Sequence, residues 1–368
     1  MRYRPCGKTG VDLPIVSFGG MRLGELVDDQ EACNRLIARA IALGINFFET
    51  CRAYGESENQ IGRALEETGL RDRAILSTKS NDSHATDADG VKRVVDEQLQ
   101  RLCTDHLEFY QMWNVGSQER FDALMKPGAN YDTVSRLRDE GVIDHIGITV
   151  HAPADDVIRW IETGAFESVT VYYNPIRRDV EPIIDRAGEL GMGVMVMGPL
   201  NGGLLGDQAA NFEFLHHGRA ATNAQGALRW ILANPNVTCA LSGISRIEEA
   251  EENAAVADLD LAMTDDERAI IDKHLVQFEE MKKSLCTQCG YCKGCPSEIE
   301  IWQIMQAMNT YQIYGSLRVA RERFRRYLKK QPGPDACTEC GECVEKCPQH
   351  LDIPARLKEA ADLFAADE

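Results

Sequence analysis

The chain has 368 residues, 44% of them apolar, with 40 Lys+Arg against 58 Asp+Glu and a formal net charge of −18. That length suits a (β/α)8 barrel plus a small extra module, and the acidic balance excludes a nucleic-acid binder or a partner for anionic membranes. No apolar run is long enough to span a membrane and the N-terminus "MRYRPCGKTG" lacks the apolar centre of a signal peptide, so the expected location is the cytoplasm.

From Ile15 to about Val256, short β-branched runs alternate with helical periods, the signature of parallel βαβ units. Eight candidate strands follow in order: "IVSFGG", "NFFET", "AILSTKS", "HLEFYQMWNV", "IDHIGITVH", "SVTVYYNP", "GVMVMGPL" and "VTCALSGIS". Their near-continuous apolar character predicts strands buried on both faces. Between them lie amphipathic stretches such as "DDQEACNRLIARAIALG" and "NAQGALRWILANP", each closed by Gly or Pro. Eight such units favour a closed α/β TIM barrel over an open doubly wound sheet.

Thr264 followed three residues later by Glu267 in "MTDDERAIIDKHL" is a capping-box pattern and predicts an extra helix. The expected domains are a barrel over residues 1–275 and a C-terminal, α-helical, ferredoxin-like iron-sulfur domain over 276–368. From Val276 onward there are 13 Lys+Arg against 14 Asp+Glu, which leaves −17 on the barrel. The second module reads as two cysteine clusters separated by one long helical stretch, "IEIWQIMQAMNTYQIYGSLRVARERFRRYLKK", which "QPGPDA" then breaks.

Eight of the 13 cysteines fall between Cys286 and Cys347, whereas Cys6, Cys33, Cys51, Cys103 and Cys239 are scattered and read as buried or incidental thiols. The motifs are "CTQCGYCKGCP" and "CTECGECVEKCP". Three thiolates two residues apart wrap three corners of a cubane, and the cysteine before proline reaches to the other cluster. The pattern assigns Cys286, Cys289, Cys292 and Cys347 to one [4Fe-4S] centre, and Cys337, Cys340, Cys343 and Cys295 to the other. The first motif has two residues rather than three before its last cysteine. Structural zinc is the alternative, but zinc sites usually pair two C-x2-C knuckles.

"FFETCRAYG", "LSTKS" and "ALRWILANPNV…GISRIEEAEEN" together resemble the aldo-keto reductases, specifically the bacterial branch with a C-terminal ferredoxin-like extension. The resemblance covers essentially the whole chain. It implies a catalytic tetrad at the barrel mouth, with Glu49 for the family Asp, Tyr54 for its Tyr and Lys79 for its Lys; Trp113 stands where the family has His. Tyr54 is then the acid/base, with Lys79 able to stabilise its phenolate and Glu49 holding the ammonium. Asn114, His151, His216 and His217 are the nearby candidates to replace the histidine. The resemblance also implies a nicotinamide cofactor, NADP(H) or NAD(H). Its contacts would come from Gly20 and Met21, Thr149, Asn174, Pro199 and Leu200, Gly203 and Leu204, Gly243, Ser245 and Arg246, and Glu252 and Asn253. Arg246 suits a 2′-phosphate, and Glu249 speaks for NADH.

The expected function is hydride transfer to or from a carbonyl or alcohol on a small-molecule substrate, with two [4Fe-4S] clusters for electron transfer or structure. The alternative is an iron-sulfur redox enzyme or electron-transfer subunit whose atypical barrel does single-electron chemistry, for which a flavin stays open as a further cofactor. A redox partner protein is a second class of partner. The basic run Arg318–Lys330 either meets such a partner or is a solvated helix face.

Overall fold

The computed structural model describes every residue except 27–28, 81–86, 207–209, 217–218, 283–284, 287–288, 330 and 366–368, so His217 and Lys330 lie outside the described residues. Two compact units result, one of residues 1–202 with 224–262, the other of 203–223 with 263–368.

In the first unit a hairpin, β1 (Tyr3–Pro5) and β2 (Asp12–Pro14), precedes a closed parallel barrel of β3 (Val16–Gly19), β4 (Phe47–Glu49), β5 (Ile75–Ser80), β6 (Leu107–Val115), β7 (Ile143–Val150), β8 (Ser168–Tyr172), β9 (Gly193–Met197) and β10 (Cys239–Gly243). All eight expected strands are present. The hairpin is an addition that the apolar periods did not show. It delivers Cys6 and Leu13 to a cluster with Phe47, Phe109, Met195, Cys239 and Leu241, most of which come from the N-terminal halves of their strands. One end of the barrel is thereby plugged, and the C-terminal end is left for chemistry. Burial pushes the Cys239 thiol up to about 12 and the Cys33 thiol up to about 11, so these scattered cysteines are inert packing groups.

The helices Ser57–Thr68 and Ala88–Arg101 flank β5. Gly62 permits a close approach behind it: a Cβ there would lie 2.3 Å from Arg101 O and 2.5 Å from Leu102 C. Backbone cannot yield as a side-chain end can, so Gly62→Ala is expected to cost about 1–3 kcal/mol of unfolding free energy. A urea titration should show a lowered midpoint at unchanged slope.

In the second unit the capping box forms as expected: Thr264 N–H donates to Glu267 Oε2 at 2.7 Å and Glu267 N–H to Thr264 Oγ1 at 3.2 Å, starting the helix Asp265–Lys282. The single long helix expected between the cysteine clusters is instead two, Ile301–Tyr314 and Leu317–Leu328. Gly315 separates them in the left-handed region at φ 68°, its N–H returning to Tyr311 O, a glycine C-cap stronger than the continuing apolar period. Ala320 and Phe324 face the core while Arg318, Arg325 and Arg326 are exposed, as a solvated helix face requires. Segment 203–223 belongs to this unit, with the Phe212 ring 5.5 Å from Phe278 and 5.7 Å from Tyr314. Among the described residues, no helix is long and apolar enough to cross a membrane.

Candidate functional site

Strand β4 ends in Glu49, and the chain then runs along β5 before turning: Thr50 N–H donates to Ser77 O at 2.8 Å and Arg52 N–H to Lys79 O at 3.2 Å. These two bonds fix the loop that carries Tyr54 beside the strand that carries Lys79. The Lys79 ammonium, 1% exposed, is hydrogen-bonded to Glu49 Oε1 and donates to Thr50 O at 2.9 Å. It lies 4.7 Å from the centroid of the Tyr54 ring. Glu49, Tyr54 and Lys79 are thus brought together, and the extra methylene of Glu49 does not break the ion pair.

Burial pulls the Lys79 ammonium down, but Glu49 and Tyr54 outweigh it and hold its pKa above the ordinary lysine value. Tyr54 goes the other way from the expected activation. Burial and then the Glu49 charge push its phenol up to about 12, against which Lys79 pulls weakly because its own charge is compensated by Glu49. The phenol stays protonated at neutral pH.

A polar network behind this trio escaped the sequence reading. Glu58, fully buried on the helix Ser57–Thr68, accepts from Thr78 Oγ1 at 2.6 Å and Gln98 Nε2 at 2.8 Å, with Arg101 at 3.4 Å. Gln98 Nε2 also reaches Lys79 O at 3.1 Å. The signal was available: Glu58 shares a stripe with Ile61 and Leu65, and Gln98 one with Val91, Val94 and Val95, where a polar residue needs a buried partner.

Trp113 sits half-buried at the end of β6. His151, after β7, is lowered by burial and the nearby Arg177 charge, which keeps it neutral. His216 belongs to the second unit, as do Gly203 and Leu204.

Of the expected nucleotide contacts in the first unit, Met21, Thr149, Asn174, Gly243 and Ser245 lie at or just after strand ends, whereas Glu252 and Asn253 lie on the helix Ile247–Ala254. Met21 is 67% exposed after β3. Thr149 Oγ1 is buried and without a hydrogen-bond partner among the described residues, and Asn174 donates to Gly198 O at 3.0 Å. Asn253 donates to Ser242 Oγ at 2.9 Å, and Glu252 O accepts from Gln225. After β10, Glu249 accepts from Ser245 N at 2.8 Å and Ser245 Oγ at 3.2 Å, and pairs with Arg246 at 2.9 Å. Burial raises this carboxyl, but the Ser245 N–H and Arg246 outweigh it and hold it below the usual range.

In the second unit one cleft is lined by Cys292, Cys295, Cys337, Cys340 and Cys343 together. Burial pushes the Cys343 thiol up, and the neighbouring Cys337, Cys340 and Cys295 thiols add to it. Cys292 is raised to about 11 by burial, then by Cys286, Cys289 and Cys343. Two cysteines of the first run, Cys292 and Cys295, thus lie beside the second run of three. All eight ligand candidates are thiols, arranged in triplets each followed by one more cysteine, and a cubane takes each thiolate at a different iron. The donor set fits clusters better than zinc. Cys347 packs on the same core, which is built from residues such as Ile304, Met308, Phe324 and Phe364.

Residues 15–276 match the family model described as "Aldo/keto reductase family", and residues 285–351 match "4Fe-4S dicluster domain". Among curated proteins, the uncharacterized oxidoreductase YrpG of Bacillus subtilis is 26% identical, over 71% of this chain and 92% of its own. L-galactose dehydrogenase of Arabidopsis thaliana is 29% identical over 73% and 92%. Among solved structures, aldo-keto reductase AKR11C1 from Bacillus halodurans has a TM-score of 0.64 at 24% identity, covering 74% of this chain and 96% of that one, a likeness of fold.

Proposed function

The chain belongs to the aldo/keto reductase family and carries a C-terminal 4Fe-4S dicluster domain, and from that premise we propose that it is a nicotinamide-dependent oxidoreductase interconverting a carbonyl and an alcohol. The observation that carries this reading is the buried Lys79 ammonium, held by Glu49 and Thr50 O with the Tyr54 ring 4.7 Å away. Such a site needs no metal ion of its own.

A bound nicotinamide ring supplies hydride to the carbonyl carbon. Tyr54 holds the proton that the carbonyl oxygen takes up, and Lys79 stabilises the phenolate left behind. Thr149 and Asn174 offer a donor and acceptors suited to a carboxamide, while Ser245 and Arg246 suit the phosphate end of the nucleotide. Glu249 already engages both of those donors, so the extra 2′-phosphate of NADPH, brought beside this carboxylate, would be repelled. This supports NADH over NADPH. In the second unit the eight cysteines would hold clusters of one-electron capacity.

The test is anaerobic titration of the purified protein with NADH and then NADPH, followed by turnover on a carbonyl panel. Tyr54→Phe should lower kcat by roughly 10²–10⁴ and leave nucleotide affinity unchanged. With the phenol at about 12, reduction should be flat across neutral pH. Alcohol oxidation, which needs the phenolate, should climb about tenfold per pH unit. If neither nucleotide binds, the reading fails.

The cluster ligands also support a second reading, single-electron chemistry in which the clusters exchange electrons with a barrel-bound group. Bleaching of the visible cluster absorbance on adding NADH would favour it.

A further inference from the structure

Strand β6 carries one residue more than its neighbour at the mouth. Met112 pairs with Ile148 and Val115 with Val150, so Trp113 and Asn114 together oppose the single Thr149. This is a β-bulge, a device that re-aims side chains beside active sites. Asn114 takes up the extra residue in the left-handed region at φ 58°, a conformation that asparagine tolerates at some cost. Its side chain is exposed and makes no hydrogen bond among the described residues. Stability alone would be served by glycine at this position, or by a regular strand. Residues held in sparsely populated backbone regions cluster at active sites and ligand clamps.

The same bulge sits where the proposed chemistry lacks a donor. A carbonyl oxygen that gains negative charge needs a second hydrogen bond besides the one from Tyr54. Trp113 offers one indole N–H in a fixed direction, whereas a carboxamide offers two N–H donors on a short side chain.

We propose that Asn114, displaced onto the mouth by the β6 bulge, is a catalytic residue whose side-chain N–H binds the substrate carbonyl oxygen alongside Tyr54. This rests on the carbonyl-reductase reading above. The amide gives up no proton: Tyr54 delivers the proton, and Asn114 contributes only the hydrogen bond, which tightens as charge develops on oxygen. Its effect therefore falls on kcat more than on KM.

The test compares wild type with Asn114→Gly, Asn114→Asp and Asn114→His, all with clusters intact, using NADH and 4-nitrobenzaldehyde, an activated aldehyde. Glycine adopts the same backbone without strain, so its thermal midpoint should equal or exceed that of wild type while kcat falls about 10²-fold. Aspartate keeps the shape, loses the donor and should fall at least as far. Histidine tolerates the left-handed region, restores an N–H, and should recover kcat to within about tenfold of wild type. An Asn114→Gly enzyme with unchanged kcat, in a protein whose turnover is still abolished by Tyr54→Phe, overturns this assignment alone. Failure of the wild type to bind either nucleotide and to reduce the aldehyde overturns the reductase reading and the assignment with it.

Discussion

Replacing Lys79 with methionine is expected to abolish carbonyl turnover and to lower the stability of the barrel by about 3–5 kcal/mol, the cost of leaving one member of a buried ion pair uncompensated. Methionine matches the stem in volume, so little of this comes from a cavity. What is lost is the ammonium that meets Glu49 and Thr50 O, leaving a carboxylate that is 6% exposed with no charge partner. Adding Glu49→Gln to Lys79→Met removes the orphaned charge. The double variant should recover most of the stability and none of the activity. Urea unfolding of the four proteins forms a double-mutant cycle, and additive losses would show that the two side chains do not act as a pair.

The pH dependence of this loss follows from the direction of the shift. Lys79 is held above its ordinary value of 10.5, so the pair contributes fully below that pH and its contribution is lost as pH rises through the folded value. The difference between wild type and Lys79→Met should hold at neutral pH and shrink in strong alkali as Lys79 loses its proton.

What the sequence made legible was local. Eight strands could be placed because each is a short apolar run bounded by turn residues, and the 4Fe-4S dicluster domain because triplets of cysteine two residues apart have few other uses. Gly315 was equally visible, but the apolar period running through it was given more weight than a single glycine. The Tyr54 phenol illustrates the opposite case. Its neighbours Glu49 and Lys79 were identified, yet the direction of its shift depends on how deeply the ring is buried, which no spacing reveals. The β6 bulge was likewise hidden, since a register is a property of two strands. "QMWNV" reads as a plain strand until Ile148 and Val150 are laid beside it.

The clusters carry the other large expectation. Cys295 belongs by sequence to the first motif, and the crossed assignment gives it to the second centre; it lines one cleft with Cys292, Cys337, Cys340 and Cys343. Replacing Cys295 with alanine should therefore damage the same centre as Cys343→Ala does, and each variant should hold about four irons instead of about eight. The residual visible and paramagnetic signals of the two variants should coincide, and those of Cys289→Ala should differ from both. If Cys295→Ala instead matches Cys289→Ala, the crossed assignment is wrong. The cost reaches beyond the metal, because Cys286, Cys292, Cys295, Cys337, Cys343 and Cys347 all pack against the core that holds the C-terminal helices together. Ligation there is coupled to folding. Stripping both clusters with a chelator should accordingly remove hydrogen-exchange protection from the helices at 301–314, 317–328 and 353–365, while β3 to β10 keep theirs. That contrast separates a module built around its clusters from one that merely carries them.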